Sequence, residues 1–242
     1  MRPDFVVLGE STGLRLYRGH RGRMEIRVST RGKSCHASAP ERGENAIYRM
    51  VPVVRNIERL GAKLRYDRFL GKGSAAVTHI ECRTPSLNAV PDRASIVIDR
   101  RLTAGETKRS ALAEVKKAAG PGASVEVLRY ERASYTGHLL PMEKYFPSWV
   151  LPESHPLVAA GVDAYRSLFR KKPAVGRWTF STNGTYTMGI AGIPTIGLGP
   201  SEEKFAHSIL DRCPADHLVK AAAFYAALPR ALRARLSGAE RA

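Results

Sequence analysis

The sequence has 242 residues, of which 43% are hydrophobic and 25% are charged, and its formal net charge is +17. These proportions are typical of a globular protein, and the length favours two domains over one. No apolar run approaches the roughly 20 residues that span a bilayer, and the first residues do not resemble a secretory signal, so we expect a cytoplasmic protein without a membrane segment.

The positive charge and the cysteines exclude further classes of function. Arginines are scattered through every segment and no nucleic-acid-binding module is recognisable, so we expect no nucleic-acid partner; the excess charge could instead belong to the basic part of a larger assembly. Three cysteines without a CxxC pair indicate neither a disulfide framework nor a thiolate zinc site. We expect them to be reduced.

The first half of the chain predicts alternating strands and helices. A short buried strand ends at Gly9, and alternating or helical spacing of apolar residues follows. Pro52 lies inside the first helical pattern and predicts a kink. The order strand, helix, strand, strand, helix, strand is that of a ferredoxin-like two-layer sandwich. The predicted strands are 5–8, 24–28, 74–80, 94–98 and 123–128, and the predicted helices are 45–60 and 108–119.

The composition changes at about residue 133, where a connector rich in proline and aromatic residues begins. The pattern after it predicts a second α/β region, so the fold class is α/β, with one domain interrupted by another. We predict domains at 1–21, 22–132 and 133–242, the first and last being parts of one domain. The elements predicted after the connector are a helix at 157–169, a strand around 178, a turn at 181–184, a short helix, a strand at 193–198 and a helix at 215–236.

A family resemblance runs in order along nearly the whole chain. Its segments are PDFVVLGE, RGHRG, GKSCHASAPERGENAI, NAVPDRASIVIDRR, FSTNG, GIPTIGLGP and AHSILD. Together they resemble the C-terminal part of the dinuclear zinc metallopeptidase family of aminoacylase, carboxypeptidase G, acetylornithine deacetylase and succinyl-diaminopimelate desuccinylase. Within that family the likeness is greatest to the selenium-metabolism-linked hydrolase branch. The resemblance implies an α/β catalytic domain interrupted by a ferredoxin-like lid that mediates dimerisation.

His36 is the catalytic candidate. From its spacing alone it could be a loop residue that bonds to its own turn, and the neighbouring Cys35 suggests a Cys-His dyad, although adjacent residues of an extended chain point to opposite sides. The resemblance instead implies that His36 reaches the active site of the partner subunit and polarises the scissile carbonyl. A donor aimed at a developing oxyanion stabilises the transition state by a few kcal/mol.

Glu10 and His207 are the metal candidates that the resemblance implies. Glu10 follows a strand end, where it could equally cap a helix or pair with an arginine, and His207 could be an ordinary surface histidine. The resemblance makes both of them zinc ligands, each for a different ion of a pair, and cobalt or manganese could replace zinc. Ser11 stands where the family usually has proline, and Asp211 stands where glutamate is commoner.

The resemblance also implies substrate contacts by Asn88 and Arg101, which would hold a carboxylate and a carbonyl. Alternatively, Asn88 lies in a simple turn and Arg101 at a solvated strand end. The turn that contains Thr182, Asn183 and Gly184 is predicted to be a binding loop, although Asn183 replaces the more usual aspartate.

The family's HxD segment, bridging aspartate and Glu-Glu pair do not precede Glu10 in this sequence. We therefore expect an incomplete active site, because a catalytic zinc normally has three protein ligands and needs a base for its water. Three interpretations stay open. The chain is the C-terminal portion of a zinc-dependent peptidase or deacylase that is inactive alone, or half of a two-chain hydrolase, or a non-catalytic dimerisation module. The expected partners are a second copy and a small amino-acid-derived amide.

Overall fold

The computed structural model describes residues 2–239, and they form two compact units. The inserted unit is Gly22–Pro147, and the flanking unit comprises the residues up to Arg21 together with those from Ser148 onward. The strand Tyr145–Phe146 belongs to the inserted unit, because it pairs with residues 23 and 24.

The structure contains every element predicted along the chain, together with several short strands that were not predicted. The helices are α1 (Ala46–Lys63), α2 (Lys108–Ala119), α3 (Pro156–Phe169), α4 (Gly184–Thr187) and α5 (Ala215–Ala239). The strands are β1 (Val6–Leu8), β2 (Leu16–His20), β3 (Gly22–Arg31), β4 (Tyr66–Asp67), β5 (Gly71–Lys72), β6 (Ser74–Arg83), β7 (Arg93–Leu102), β8 (Ala123–Val127), β9 (Arg129–Tyr130), β10 (Met142–Glu143), β11 (Tyr145–Phe146), β12 (Trp149–Val150), β13 (Val175–Trp178) and β14 (Thr195–Gly197).

The inserted unit is one antiparallel sheet covered on one face by α1 and α2. The strand order is β6-β7-β3, and β8 and β11 both pair with the far edge of β3. Along β3 the residues alternate between buried and half-exposed, as the alternation of apolar and charged side chains predicts. Ile26 and Ile98, which are paired in register, lie in the core with Ile57 of α1 and Val115 of α2.

A buried ion pair lies in the same layer. Arg100 has no exposed surface, and its guanidinium bonds to the buried Glu106 and, at 2.9 Å, to Glu114. A charge inside a core is tolerated only with such partners. Glu106 of the neighbouring loop and Glu114 of α2 therefore balance the charge of this inward-facing arginine on β7.

The flanking unit has a sheet of short strands in the order β1-β14-β2-β12, with β13 also paired to β2. β1 and β14 are parallel, whereas β14 and β12 run antiparallel to β2. The core combines Leu16, Trp178 and Ile196 from the strands with Leu157 of α3 and Phe224 of α5. β2 was not predicted, although four of its five residues are buried.

The described residues bear on the expectations for membrane-spanning helices and for the cysteines. Between residues 2 and 239, no helix is both long and apolar enough to cross a membrane. Cys35, Cys82 and Cys213 are free cysteines.

Candidate active site

Glu10 lies two residues after β1, at the carboxyl end of two parallel strands. Open α/β sheets bind their ligands at this edge. The side chain is exposed, and its Oε1 accepts a hydrogen bond from the backbone N–H of Ser11 at 3.0 Å. A carboxylate placed in this way can bind a cation or donor without first breaking an ion pair.

Close backbone contact fixes the segment that carries Glu10. A Cβ atom on Gly199 would lie 2.1 Å from the carbonyl oxygen of Glu10, so only glycine fits there. The N–H of Gly199 donates to Thr12 Oγ1 at 3.0 Å, and the Thr12 hydroxyl donates back to the Gly199 carbonyl at 3.2 Å. The indole N–H of Trp178 donates to the Ser11 carbonyl at 3.0 Å. The GLGP segment therefore positions Glu10 from the neighbouring strand.

Glu10 and Asp211 line one cleft of about 470 Å³, which three segments of the chain form, at 9–11, 200–201 and 211–213. His207 lies on the loop that leads to Asp211, is exposed and has a left-handed backbone with φ of 60°. Asp211 is held to this loop by its N–H, which donates to the Ser208 carbonyl at 3.0 Å.

The donor types at this edge suit zinc, which binds carboxylate and imidazole groups. Within residues 2–239, however, no three His, Cys, Asp or Glu side chains lie close enough together to hold one ion. Glu10 and His207 therefore fit as individual ligands but do not form a complete metal centre among the described residues.

The turn at 181–184 has two buried residues, Thr182 and Gly184. The N–H of Thr182 donates to Nδ1 of His20 at 2.9 Å, and the N–H of Gly184 donates to Thr182 Oγ1 at 3.1 Å. A Cβ atom on Gly184 would lie 2.6 Å from Nε1 of Trp149, so this glycine is required by packing. Asn183 is exposed, whereas Thr182 and Gly184 are buried.

His20 is the residue at this site that the sequence analysis did not select. It appears in the RGHRG segment, but no second histidine at ligand spacing draws attention to it. The structure places it at the end of β2 with no exposed surface. The only sequence signal is the RGHRG segment itself, which was quoted for its family resemblance.

In the inserted unit, the structure brings His36 and Asn88 together. An antiparallel bridge joins His36 to Ala89, and the N–H of Ala37 donates to the Asn88 carbonyl at 2.8 Å. Both predicted side chains are exposed. Nδ1 of His36 accepts the N–H of Ser38 at 3.1 Å, which leaves the proton of the neutral ring on Nε2. Sγ of Cys35 contacts the carbonyl of Ala39, four residues on, rather than forming the partner of a dyad.

Arg101 does not join this pair. On β7 it pairs with Arg23, whereas Arg93, at the end of β7 nearest Asn88, pairs with Arg31. Eight residues of extended strand separate Arg101 from Arg93 by about 26 Å. The guanidinium of Arg101 is held by Asp99 through Nε at 2.6 Å and Nη2 at 3.2 Å. This fork pairing fixes its direction.

Comparison with known proteins identifies one domain of the chain and several relatives. Residues 18–125 match the M20 peptidase dimerisation domain. The chain is 49% identical over 232 residues to the protein YgeY of Escherichia coli (strain K12). The aligned region covers 95% of this chain but only 58% of YgeY.

Among solved structures, the aminopeptidase PepT from Bacillus cereus superposes with a TM-score of 0.70 at 20% identity, over 95% of this chain and 57% of PepT. The M20 family metallo-carboxypeptidase Sso-CP2 from Sulfolobus solfataricus superposes with a TM-score of 0.67 at 14% identity, over 96% of this chain and 64% of that enzyme. Residues 18–125 therefore form a peptidase dimerisation domain, and the chain as a whole has the fold of M20 family peptidase structures.

Proposed function

We propose that this chain supplies the C-terminal part of a zinc-dependent hydrolase that cleaves an amide bond next to a free carboxylate. The match to a peptidase dimerisation domain supports the reaction class, and the names of two structural neighbours, an aminopeptidase and a metallo-carboxypeptidase, agree with amide hydrolysis. The chain spans little more than half the length of YgeY, which leaves room in a longer protein for further ligands.

Glu10 and His207 would each hold one ion of a zinc pair, and the remaining ligands and the base would come from chain outside this sequence. Bound zinc would polarise the amide carbonyl and activate water. The exposed carboxylate of Glu10, carried on a backbone that lies against Gly199, supports this assignment, as does the nearby Asp211.

The geometry of His36 is the observation that carries the proposal. Because Ser38 occupies Nδ1, the neutral ring presents Nε2–H from an exposed position. This is the donor that a tetrahedral oxyanion requires, and such donors contribute a few kcal/mol to transition-state stabilisation. Asn88 lies beside it and adds an exposed amide.

The distance between the two ends of β7 supports a site shared between two copies. His36 and Asn88 lie about 26 Å or more from Arg101 within one inserted unit, too far for all three side chains to hold one small amide. We assign His36 and Asn88 to the active site of the partner copy, as the resemblance implies, and Arg101 to the binding of the substrate carboxylate in a different site of the same dimer.

The surface for this dimer would be the free edge of β6 and the adjacent face of α1. Residues 78–83 of β6 are all exposed, and an apolar groove of about 430 Å³ lies between this strand and α1. Tyr48 is 76% exposed, Val51 46% and Ile80 61%. An unpaired strand edge beside exposed apolar side chains favours association, and this unit matches a dimerisation domain.

Complementation between two inactive variants tests the shared site. In the longer protein that contains this chain, Glu10→Gln and His36→Ala should each abolish hydrolysis of N-acyl amino acids and dipeptides. Mixed dimers then rebuild one intact site, so random reassortment of subunits should recover about a quarter of the activity. His138→Ala, at another exposed histidine, should leave activity unchanged. No recovery on mixing would contradict the assignment of His36 to the partner's site.

Metal binding tests the ligand assignment in the 242-residue chain itself. Equilibrium dialysis followed by elemental analysis should give weak or substoichiometric zinc, and His207→Ala should lower it further. About two tightly bound zinc ions per chain would contradict the incomplete site. If neither the chain nor the longer protein binds zinc or cleaves any amide, the hydrolase proposal fails and the dimerisation module is favoured.

A further inference from the structure

His20 is a buried histidine for which the proposed reaction has no role. It is the last residue of β2, has no exposed surface, and its ring lies 5.3 Å from the ring of Trp149. A buried polar ring is stable only when its nitrogens have partners. The partners that it takes therefore indicate what the histidine holds in place.

Three contacts join the ring to the turn at 181–184 and to the helix that follows it. Nδ1 lies 2.9 Å from the backbone nitrogen of Thr182 and 3.0 Å from its Oγ1. Nε2 lies 3.4 Å from Oγ1 of Thr185. A backbone N–H can only donate, so Nδ1 carries no proton, and the neutral ring has its proton on Nε2, facing the hydroxyl of Thr185.

Further hydrogen bonds within the turn add to those of the His20 ring. The hydroxyl of Thr182 accepts the N–H of Gly184 at 3.1 Å, and the hydroxyl of Ser181 donates to the Arg21 carbonyl, next to His20, at 3.1 Å. The indole of Trp149, which packs against the His20 ring, leaves no room for a side chain at Gly184. The turn is thus clamped by a histidine and a tryptophan, with Asn183 exposed.

We propose that His20 is the positioning residue of the 181–184 turn, and that its neutral ring with the proton on Nε2 fixes the backbone that presents Asn183. The link to substrate rests on the proposed function, in which this turn contacts the substrate. The clamp does not depend on that role, because it follows from contacts within the flanking unit.

Amide hydrogen exchange in the whole chain tests the clamp. His20→Leu removes the acceptor while keeping an apolar side chain, and His20→Asn keeps an acceptor oxygen. We expect exchange at the Thr182 amide to accelerate at least about tenfold in His20→Leu and to return towards the original rate in His20→Asn.

His155 provides the matched control. It lies in the same unit, and its Nδ1 accepts the N–H of Leu157 at 3.1 Å, which is the same kind of bond at another place. His155→Leu should expose the Leu157 amide and leave Thr182 unchanged. If Thr182 exchanges no faster in His20→Leu than in His155→Leu, the proposal is overturned. Should His20→Leu fail to fold, the nitrogen shifts of His20 in the unsubstituted chain decide, since a proton on Nδ1 would also overturn it.

A probe with an amide next to a free carboxylate tests the link to substrate. N-acetyl-L-alanine, added with zinc to the whole chain, should shift the amide signals of Asn183 and Gly184. Its dissociation constant should be about tenfold larger in His20→Leu, because the turn must then be ordered on binding, and unchanged in His155→Leu. If the unsubstituted chain shows no shift at the turn, the substrate role under the proposed function is contradicted, and the exchange rates alone decide whether His20 holds the turn.

Discussion

The cores of the inserted and flanking units are specified by different kinds of contact. In the inserted unit, β3, β6 and β7 have ten residues each, and their apolar faces can be read from local alternation. In the flanking unit the strands have two to five residues, and β1 pairs with β14 across most of the chain, Val6 opposite Thr195. The first sheet is specified by local pattern, and the second by contacts between distant segments.

The two units also differ in what holds their sheets together. The inserted unit has a continuous apolar sheet face and one buried ion pair within its layer. In the flanking unit, segments from distant parts of the chain meet, and Gly199 lies against the Glu10 backbone where two of them approach. The inserted unit has a comparable contact, Gly32 against Glu44, only beyond the end of β3. A substitution within either sheet should therefore affect mainly the amides of its own unit.

The largest effect is expected from Arg100→Met in the inserted unit. The substitution leaves Glu106 buried without its partner, and breaking a buried pair in this way costs about 3–5 kcal/mol in the free energy of unfolding. Arg101→Met, one position on and partly exposed, should cost less than about 1 kcal/mol. Urea unfolding measures both values. Loss of amide protection in the flanking unit as large as that in the inserted unit would break the contrast between them.

Gly199→Ala should have the next largest effect, now confined to the flanking unit. The new methyl group would overlap the Glu10 carbonyl, and overpacking of this kind costs about 1–3 kcal/mol or more. Gly61→Ala in α1 is the control, because its Cβ would lie at an ordinary 3.6 Å from the carbonyl oxygen of Ala75. That change should stabilise the chain by about 0.5–1 kcal/mol. Equal losses from the two substitutions would contradict the close-contact argument.

The same contrast explains what could be predicted from the sequence. Local periodicity was sufficient for β3, α1, β6, β7, α2 and β8, with boundaries that differ by a few residues, because one face of each element is apolar. β2 was not predicted, because its sequence LYRGH contains two basic residues and a glycine and no alternating pattern. Its burial is set by three strands from other parts of the chain.

In the candidate site, too, contacts between distant segments could not be predicted from local sequence pattern. The bridge between His36 and Ala89 joins two loops far apart in sequence, yet both had been selected through their motifs. The separation of Arg101 from them follows from strand register, which residue spacing does not reveal. His20 was passed over because a lone histidine has no ligand pattern, and its role depends on a turn that lies 162 residues away.

Removal of a helix cap should have a smaller effect, again in the inserted unit. Oδ1 of Asn45 accepts the N–H of Ile47 at 2.9 Å and that of Tyr48 at 3.4 Å, at the start of α1. Asn45→Ala should lower the free energy of unfolding by about 1 kcal/mol. Asn45→Asp keeps a capping oxygen, so it should lose only a small part of that stability. Urea unfolding distinguishes the two. A loss in Asn45→Asp equal to that in Asn45→Ala would show that the cap bonds are not the cause.

The smallest expected effect is a pH dependence in the flanking unit that originates at His155. Burial lowers the pKa of His155 from its ordinary value of about 6.5, and its Nδ1 caps α3 by accepting the N–H of Leu157. As the pH falls below about 6.5, the unfolded chain binds this proton before the folded chain does, so the free energy of unfolding decreases with falling pH. Above about pH 6.5 the group is neutral in both states, so it adds no pH dependence to the free energy of unfolding.

His155→Asn tests this dependence, because it keeps a capping oxygen and removes the titration. Urea unfolding from about pH 5 to pH 8 measures the stability difference between the two proteins. This difference should change with pH only on the acid side. A difference that is constant over this range would mean that His155 takes up its proton equally in both states, and that the cap, rather than burial, accounts for its contribution.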